Sequence, residues 1–209
     1  MPLIFQHHIS QNTKIGIWQI AETEDYFLAK VPLKKNVSHP HKRLQHLAGR
    51  FLLPTLFADF PIEEILIADT RKPFLENEKY HFSISHCGNY AAALASNINR
   101  VGVDIELITP KIEKIKHKFL SGNELIFIDH HQPVEDRLPM LTTAWSIKEA
   151  VFKWYGNGEL DFIKHIQLQS FLYNQEGGTV DVRFLKNDDR LLHLHYRHFS
   201  NLILTWVMS

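Results

Sequence analysis

The sequence predicts an α+β chain whose two halves, roughly 1–100 and 101–209, share one order of elements, each an antiparallel sheet packed with a long helix. Two observations carry this. Runs of two-residue apolar period flank two segments of helical apolar spacing, one in each half. No low-complexity linker divides the chain, so the halves are expected to share an interface, with a ligand cleft between them. There is also no internal sequence repeat.

Ile15 to Ile20 alternates as a strand does, and from about His39 to Phe57 the residues Leu44, Leu47, Phe51 and Leu52 recur at helical spacing, with Pro54 expected to distort the helix near its end. Asp59-Phe60-Pro61 separates that helix from a strand at Ile65 to Ala68. His81 to Ser85, Tyr90 to Ser96 and Arg100 to Glu106 read as an antiparallel meander. A second helix is predicted from about Leu138 to Tyr155, stopped by Gly156-Asn157-Gly158. Strands follow at Ile166 to Leu172, Thr179 to Leu185, Leu191 to Tyr196 and Leu202 to Val207.

With 209 residues and 44% hydrophobic content, the chain can bury a sizeable core. Lys+Arg and Asp+Glu are 23 each, which excludes a global field for nucleic acid or an anionic membrane, so any anion site must be local. The 14 histidines are dispersed, without the paired spacing of a metal site. The single Cys87 excludes an intramolecular disulfide and is expected to pack in a turn rather than act as a nucleophile. No signal-like or membrane-length apolar run occurs, and a cytoplasmic location is the default expectation.

In Val101-Gly102-Val103-Asp104-Ile105-Glu106, the strand period sets Val101, Val103 and Ile105 on one face and Gly102, Asp104 and Glu106 on the other. Two carboxylates on one face suit either a solvated surface or a Mg²⁺ ion. In Trp145 to Trp154, Glu149 lies about 40° from Trp145 around the helix, inside an aromatic stripe, and Lys153 follows one turn later. That spacing fits an ordinary helix ion pair or a third metal carboxylate with Lys153 facing the same anion. Ser85 and His86 are expected as exposed donors at a tight turn containing Gly88; neighbours on a strand point to opposite faces, which makes them a poor nucleophile and base pair. Ser121 to Glu124 has capping-box spacing. Lys42, Arg43, Arg50, Arg71 and Lys72 are each explained singly as solvated cations.

Taken in order, Arg71-Lys72-Pro73, Phe82-Ser83-Ile84-Ser85-His86, Val101 to Glu106, Phe119-Leu120-Ser121-x-x-Glu124 and Trp145-Ser146-Ile147-Lys148-Glu149-Ala150-x-x-Lys153 resemble the 4′-phosphopantetheinyl transferases of the Sfp type. Gly49-Arg50-Phe51-Leu52-Leu53 resembles the family's first-helix motif more weakly. The resemblance implies a pseudo-twofold pair of subdomains, a coenzyme A side in 1–100 and a Mg²⁺-binding, catalytic side in 101–209, with the active site in the cleft. It also implies transfer of phosphopantetheine from coenzyme A to a serine of an acyl, polyketide or peptidyl carrier protein. Asp104, Glu106 and Glu149 would hold Mg²⁺, Lys153 would contact the pyrophosphate, Ser85 and His86 the phosphates, and Lys72 and Pro73 would lie by the nucleotide. Glu149 or a metal-bound water would help remove the serine proton. Arg43 and Arg50 are candidates for the 3′-phosphate, and Arg71 replaces the family's glycine. A monomer without nucleic-acid or membrane partners is expected by analogy. Two rival readings share the carboxylates: another Mg²⁺-dependent phosphotransferase or nuclease, and a non-catalytic nucleotide or carrier-protein binding module.

Overall fold

A computed structural model describes residues 2–33, 37–131, 133–169 and 171–209, the side chain of His131 excepted. Strands β1 (Leu3–His8) and β2 (Thr13–Gln19) lead through the short helix α1 (Glu24–Leu28) to α2 (Pro40–Leu56). Pro40 opens α2 where its missing N–H is not needed, and the helix runs through Pro54, with Phe57 N still donating to Leu53 O at 3.0 Å. The strand expected at Ile65 to Ala68 contracts to β3 (Leu66–Ile67), paired with β4 (Pro73–Phe74) in a small hairpin.

Strands β5 (His81–Cys87) and β6 (Tyr90–Ser96) form a hairpin, but β7 (Val101–Leu107) does not continue it as the predicted meander requires. Both edges of β6 are already occupied, by β2 and β5, so β7 crosses to a second sheet. There it pairs with β11 (Leu202–Met208), followed by β10 (Arg190–Phe199), β9 (Gly177–Phe184) and β8 (Ile166–Leu168), the last ending short of the expected Leu172. Between β7 and β8 run α3 (Lys111–Ile115), α4 (Gly122–His131) and the long α5 (Arg137–Tyr155). The chain is thus mixed α+β, with antiparallel sheets ordered β1-β2-β6-β5 and β7-β11-β10-β9-β8.

The packing is layered. Ile15, Ile17, Ala92 and Leu94 of the first sheet meet Val101, Val103, Ile105, Leu202 and Leu204 of the second across a shared core. The outer face of the first sheet is covered by α2 through Leu47, Leu52 and Leu53, where Ala91, Ala93 and Ala95 of β6 keep the surface shallow enough for the helix to approach. Ile147, Ala150, Val151 and Trp154 of α5 pack into the core cluster that also holds Val180, Val182 and Leu194 of the second sheet. Each buried Leu, Ile or Val among them stabilises the fold by roughly 1.5–3 kcal/mol. No helix among the described residues is long and apolar enough to cross a membrane.

Candidate active site

Strands β5 and β7 run side by side where the two sheets meet, joined by side chains instead of a backbone ladder. Ser83 Oγ accepts from Val103 N at 3.0 Å, and Cys87 Sγ accepts from Leu107 N at 3.4 Å. Between them Ser85 Oγ donates to Asp104 Oδ1 at 2.8 Å. The period of two puts Ser83, Ser85 and Cys87 on one side of β5, so small polar side chains replace missing ladder bonds and leave a seam that charged groups can enter. This corrects the expectation for Ser85: it lies buried within the strand, and the turn comes later, at Gly88-Asn89. Cys87 ends the strand as a packed residue, its thiol pushed up to about 11 chiefly by burial.

Lys153 of α5 reaches into the seam, its Nζ donating to Asp104 Oδ1 at 2.5 Å and to Ser85 Oγ at 2.7 Å. It is therefore tied to the β7 carboxylate, not only one turn from Glu149. Trp145 Nε1 donates to Glu106 Oε1 at 3.0 Å. Burial, then the charge of Asp104, raises Glu149 to about 7, while Lys153 opposes the shift and Glu106 adds to it. Glu106 is raised by the same two leading causes. The three acids thus share one field, although no three His, Cys, Asp or Glu side chains among the described residues gather closely enough to form a metal cage. Asp104 Oδ2 is buried without a hydrogen-bond partner. An orphaned carboxylate oxygen beside two further acids held toward their neutral forms is a donor set that a hard divalent cation would satisfy.

The helix that carries Glu149 and Lys153 is fixed along its length. At Gly102 of β7 an added Cβ would lie 2.1 Å from Ala150 O, so the helix lies directly on the strand backbone. Lys148 is fully buried, its Nζ bonded to Glu124 Oε1 at 2.8 Å, Phe119 O at 2.7 Å and Phe162 O at 2.9 Å. Glu124 also completes the capping box, Ser121 N donating to its Oε2 at 2.7 Å, and accepts from Leu168 N at 2.9 Å. Pinning Lys148 inward turns the next residue, Glu149, about 100° around the helix, which is how it reaches the seam. Gly156, at φ 73°, terminates the helix in the left-handed conformation that glycine adopts without strain.

A groove of about 230 Å³ opens beside the seam, lined by His46, Arg50, Arg71, Pro73, Ile84 and His86 among others. It brings together three of the sequence-predicted residues, Arg50, Pro73 and His86. Arg50 is 8% exposed and donates to His46 Nδ1 at 3.0 Å, one turn earlier on α2. Crowding by protein and then the charge of Lys153 lower the His86 imidazole, which ties the groove electrostatically to the acid cluster. Lys72 does not join this groove: it lines a separate cavity of about 510 Å³, where its Nζ lies 3.4 Å from Trp154 O. Arg43 does not line the groove: it is held by Glu24 at 2.7 Å and donates at 3.0 Å to the carbonyl of Val37, a residue of the groove wall.

Sequence reasoning missed His46, Trp145 as a donor, and the pairing of Lys148 with Glu124. The i,i+4 spacing of His46 and Arg50 was a usable signal, whereas the Lys148 to Glu124 contact spans 24 residues of sequence and had none.

A family model for the 4′-phosphopantetheinyl transferase superfamily matches residues 100–207. The chain is 31% identical over 146 residues to the 4′-phosphopantetheinyl transferase AcpT of Salmonella typhimurium, covering 68% of this chain and 71% of that protein. It is 32% identical over 127 residues to AcpT of Escherichia coli K12, a match that spans 64% of that protein and 59% of this chain. With the 4′-phosphopantetheinyl transferase gsp of Aneurinibacillus migulanus it shares 30% over 149 residues, 67% of this chain and 61% of that protein.

Proposed function

This chain belongs to the 4′-phosphopantetheinyl transferase superfamily, and on that premise we propose that it transfers 4′-phosphopantetheine from coenzyme A to a serine hydroxyl of an apo carrier protein. The observation that carries the reading is the contact of Ser85, Asp104 and Lys153, from three separate elements, in the field of Glu106 and Glu149 and beside a cationic groove.

In this reading Arg50 and Arg71 bind the phosphates of coenzyme A in the groove, His86 donates a hydrogen bond to them, and Pro73 packs by the nucleotide. Lys153 and the Ser85 hydroxyl face the pyrophosphate, where Lys153 neutralises charge that grows on the leaving oxygen. The carrier serine attacks the β-phosphorus; the bond from that phosphorus to the bridging oxygen breaks, and 3′,5′-adenosine bisphosphate leaves. Glu149, its carboxyl raised to about 7, takes the serine proton. Asp104, Glu106 and Glu149 would hold Mg²⁺, which when bound supplies a Lewis acid for the phosphoryl oxygens. Arg43, committed to Glu24, is the weaker of the two 3′-phosphate candidates, and Lys72 would reach the nucleotide through its backbone.

We also read the chain as two pseudo-twofold subdomains, 1–100 carrying the coenzyme A side and 101–209 the metal and catalytic helix. The pairing of a sheet with α2 and a sheet with α5 supports this. The carrier is of the acyl, polyketide or peptidyl kind, and the protein acts as a cytoplasmic monomer without nucleic acid or membrane, in keeping with its zero formal charge. Incubation of apo carrier proteins with coenzyme A and Mg²⁺, read by intact mass, should add one phosphopantetheine, and Glu149→Gln should lose most of that rate. Hydrolysis of coenzyme A with no carrier modified would replace this reading with that of a phosphohydrolase.

A further inference from the structure

The cavity of about 510 Å³ that receives the Lys72 side chain lies outside the chemistry above, which uses only the backbone of that residue and meets this wall at Pro73. Its wall joins the β3 to β4 hairpin, the start of β5 and β7, and the end of α5. Phe74, Tyr80 and Phe82 supply aromatic surface, and Lys72 and Arg100 enter from different segments. Among the described residues neither cation has a carboxylate at ion-pair distance.

Each cation spends a donor on the last turn of α5: Lys72 on Trp154 O at 3.4 Å, and Arg100 on Tyr155 O. Support of the helix C-terminus explains those two bonds. It leaves the remaining donors of an ammonium with three and a guanidinium with five, beside a space with aromatic walls. Arg100 also lies over the Trp154 ring, 5.4 Å from its centroid, which holds the guanidinium plane in place. Apolar walls with a few convergent polar groups are the usual composition of a small-molecule site, and the two cations here share the wall with one acid, Glu78, which forms no ion pair with either.

We propose that this cavity is a second binding site, separate from the coenzyme A groove, for a small organic anion with a flat apolar body, its charged group held between Lys72 and Arg100 and its body against Phe74, Tyr80 and Phe82. The two openings share Pro73, and the cations of the groove, Arg50 and Arg71, do not line this one. The inference does not depend on the transferase reading, because nothing in it requires coenzyme A or a metal. The proximity of two half-buried cations has a corollary: Lys72 is lowered to about 8, by loss of solvent first and then by Arg100, so an anion that binds there draws a proton onto it. The other ionisable side chains on the wall are Glu78, Tyr80 and His81.

The test uses the intact protein and the dye anilinonaphthalene sulfonate, followed by calorimetry and fluorescence. The expected result is saturable one-to-one binding that persists under saturating coenzyme A and is about tenfold weaker in Arg100→Gln, the loss expected for a charged hydrogen bond. In the unaltered protein the affinity should fall as pH rises through about 8, a measurement that stands even where Arg100→Gln fails to fold. Absence of saturable binding, displacement by coenzyme A, or equal affinity for the uncharged phenylnaphthylamine would each overturn the proposal.

Discussion

Gly102→Ala tests how closely the site depends on the seating of α5. The added Cβ would lie 2.1 Å from Ala150 O and 2.7 Å from both Trp154 N and Trp154 Cβ. Ordinary contact begins near 3.4 Å, so α5 and β7 must separate by roughly 1 Å. Two of the opposing atoms are backbone and cannot rotate aside. Inserting a methyl group into a packed core costs about 1–3 kcal/mol, and a backbone clash of this depth places Gly102→Ala near the upper end, about 3 kcal/mol. The separation falls at Ala150 and Trp154, the residues that directly follow Glu149 and Lys153, and a displacement of about 1 Å in positioned groups can lower turnover by roughly a hundredfold. Urea unfolding monitored by circular dichroism gives the stability change; mass spectrometry of carrier modification, run well below the unfolding midpoint, gives the rate. A Gly102→Ala protein with an unchanged midpoint and full turnover would refute the claim that α5 is seated on the β7 backbone.

Other consequences follow from the same contacts. Lys148→Met should destabilise the fold by about 3–5 kcal/mol, because Glu124 stays buried without its cation, and Lys148→Met with Glu124→Leu should recover much of the loss in urea titrations. Glu149, raised to about 7, and Glu106, also raised, bind protons more tightly folded than unfolded. Their contribution is fully present below the unfolded value near 4.5 and is lost as pH rises through about 7. Differential scanning calorimetry of metal-free protein should show this as a fall on the order of 1–3 kcal/mol, reduced in Glu149→Gln to the part that Glu106 contributes and reversed at pH 8 by millimolar Mg²⁺. Arg50→Gln should raise the KM for coenzyme A about tenfold while the carrier KM stays unchanged, and Arg43→Gln should shift it less, since its side chain is held by Glu24.

Local chemistry was enough to read α2 and α5, because an apolar stripe at helical spacing and a terminal glycine report on the helix they belong to. It was also enough to place Asp104 and Glu106 on one face of β7, since the strand period alone decides that. Pairing was not legible in the same way. The meander failed at β7 because the choice of partner strand depends on which edges are already filled, and β6 has both filled by segments far apart in sequence. Ser85 and His86 were legible as a motif, yet their division of labour, Ser85 into the seam and His86 into the groove, came with the packing of β5 against β7.

What the sequence by itself determined is therefore the inventory: two long helices, strands of known facing, three acids and a set of cations at fixed spacings. Only the tertiary structure decided which of them meet. It joined Lys153 to Asp104 across 49 residues, parted Lys72 from Arg50, and gave Arg43 to Glu24. The physical reason is that periodicity is a property of neighbours along the chain, whereas charge pairing and burial depend on which distant segments fill the same space, and only the folded packing selects those.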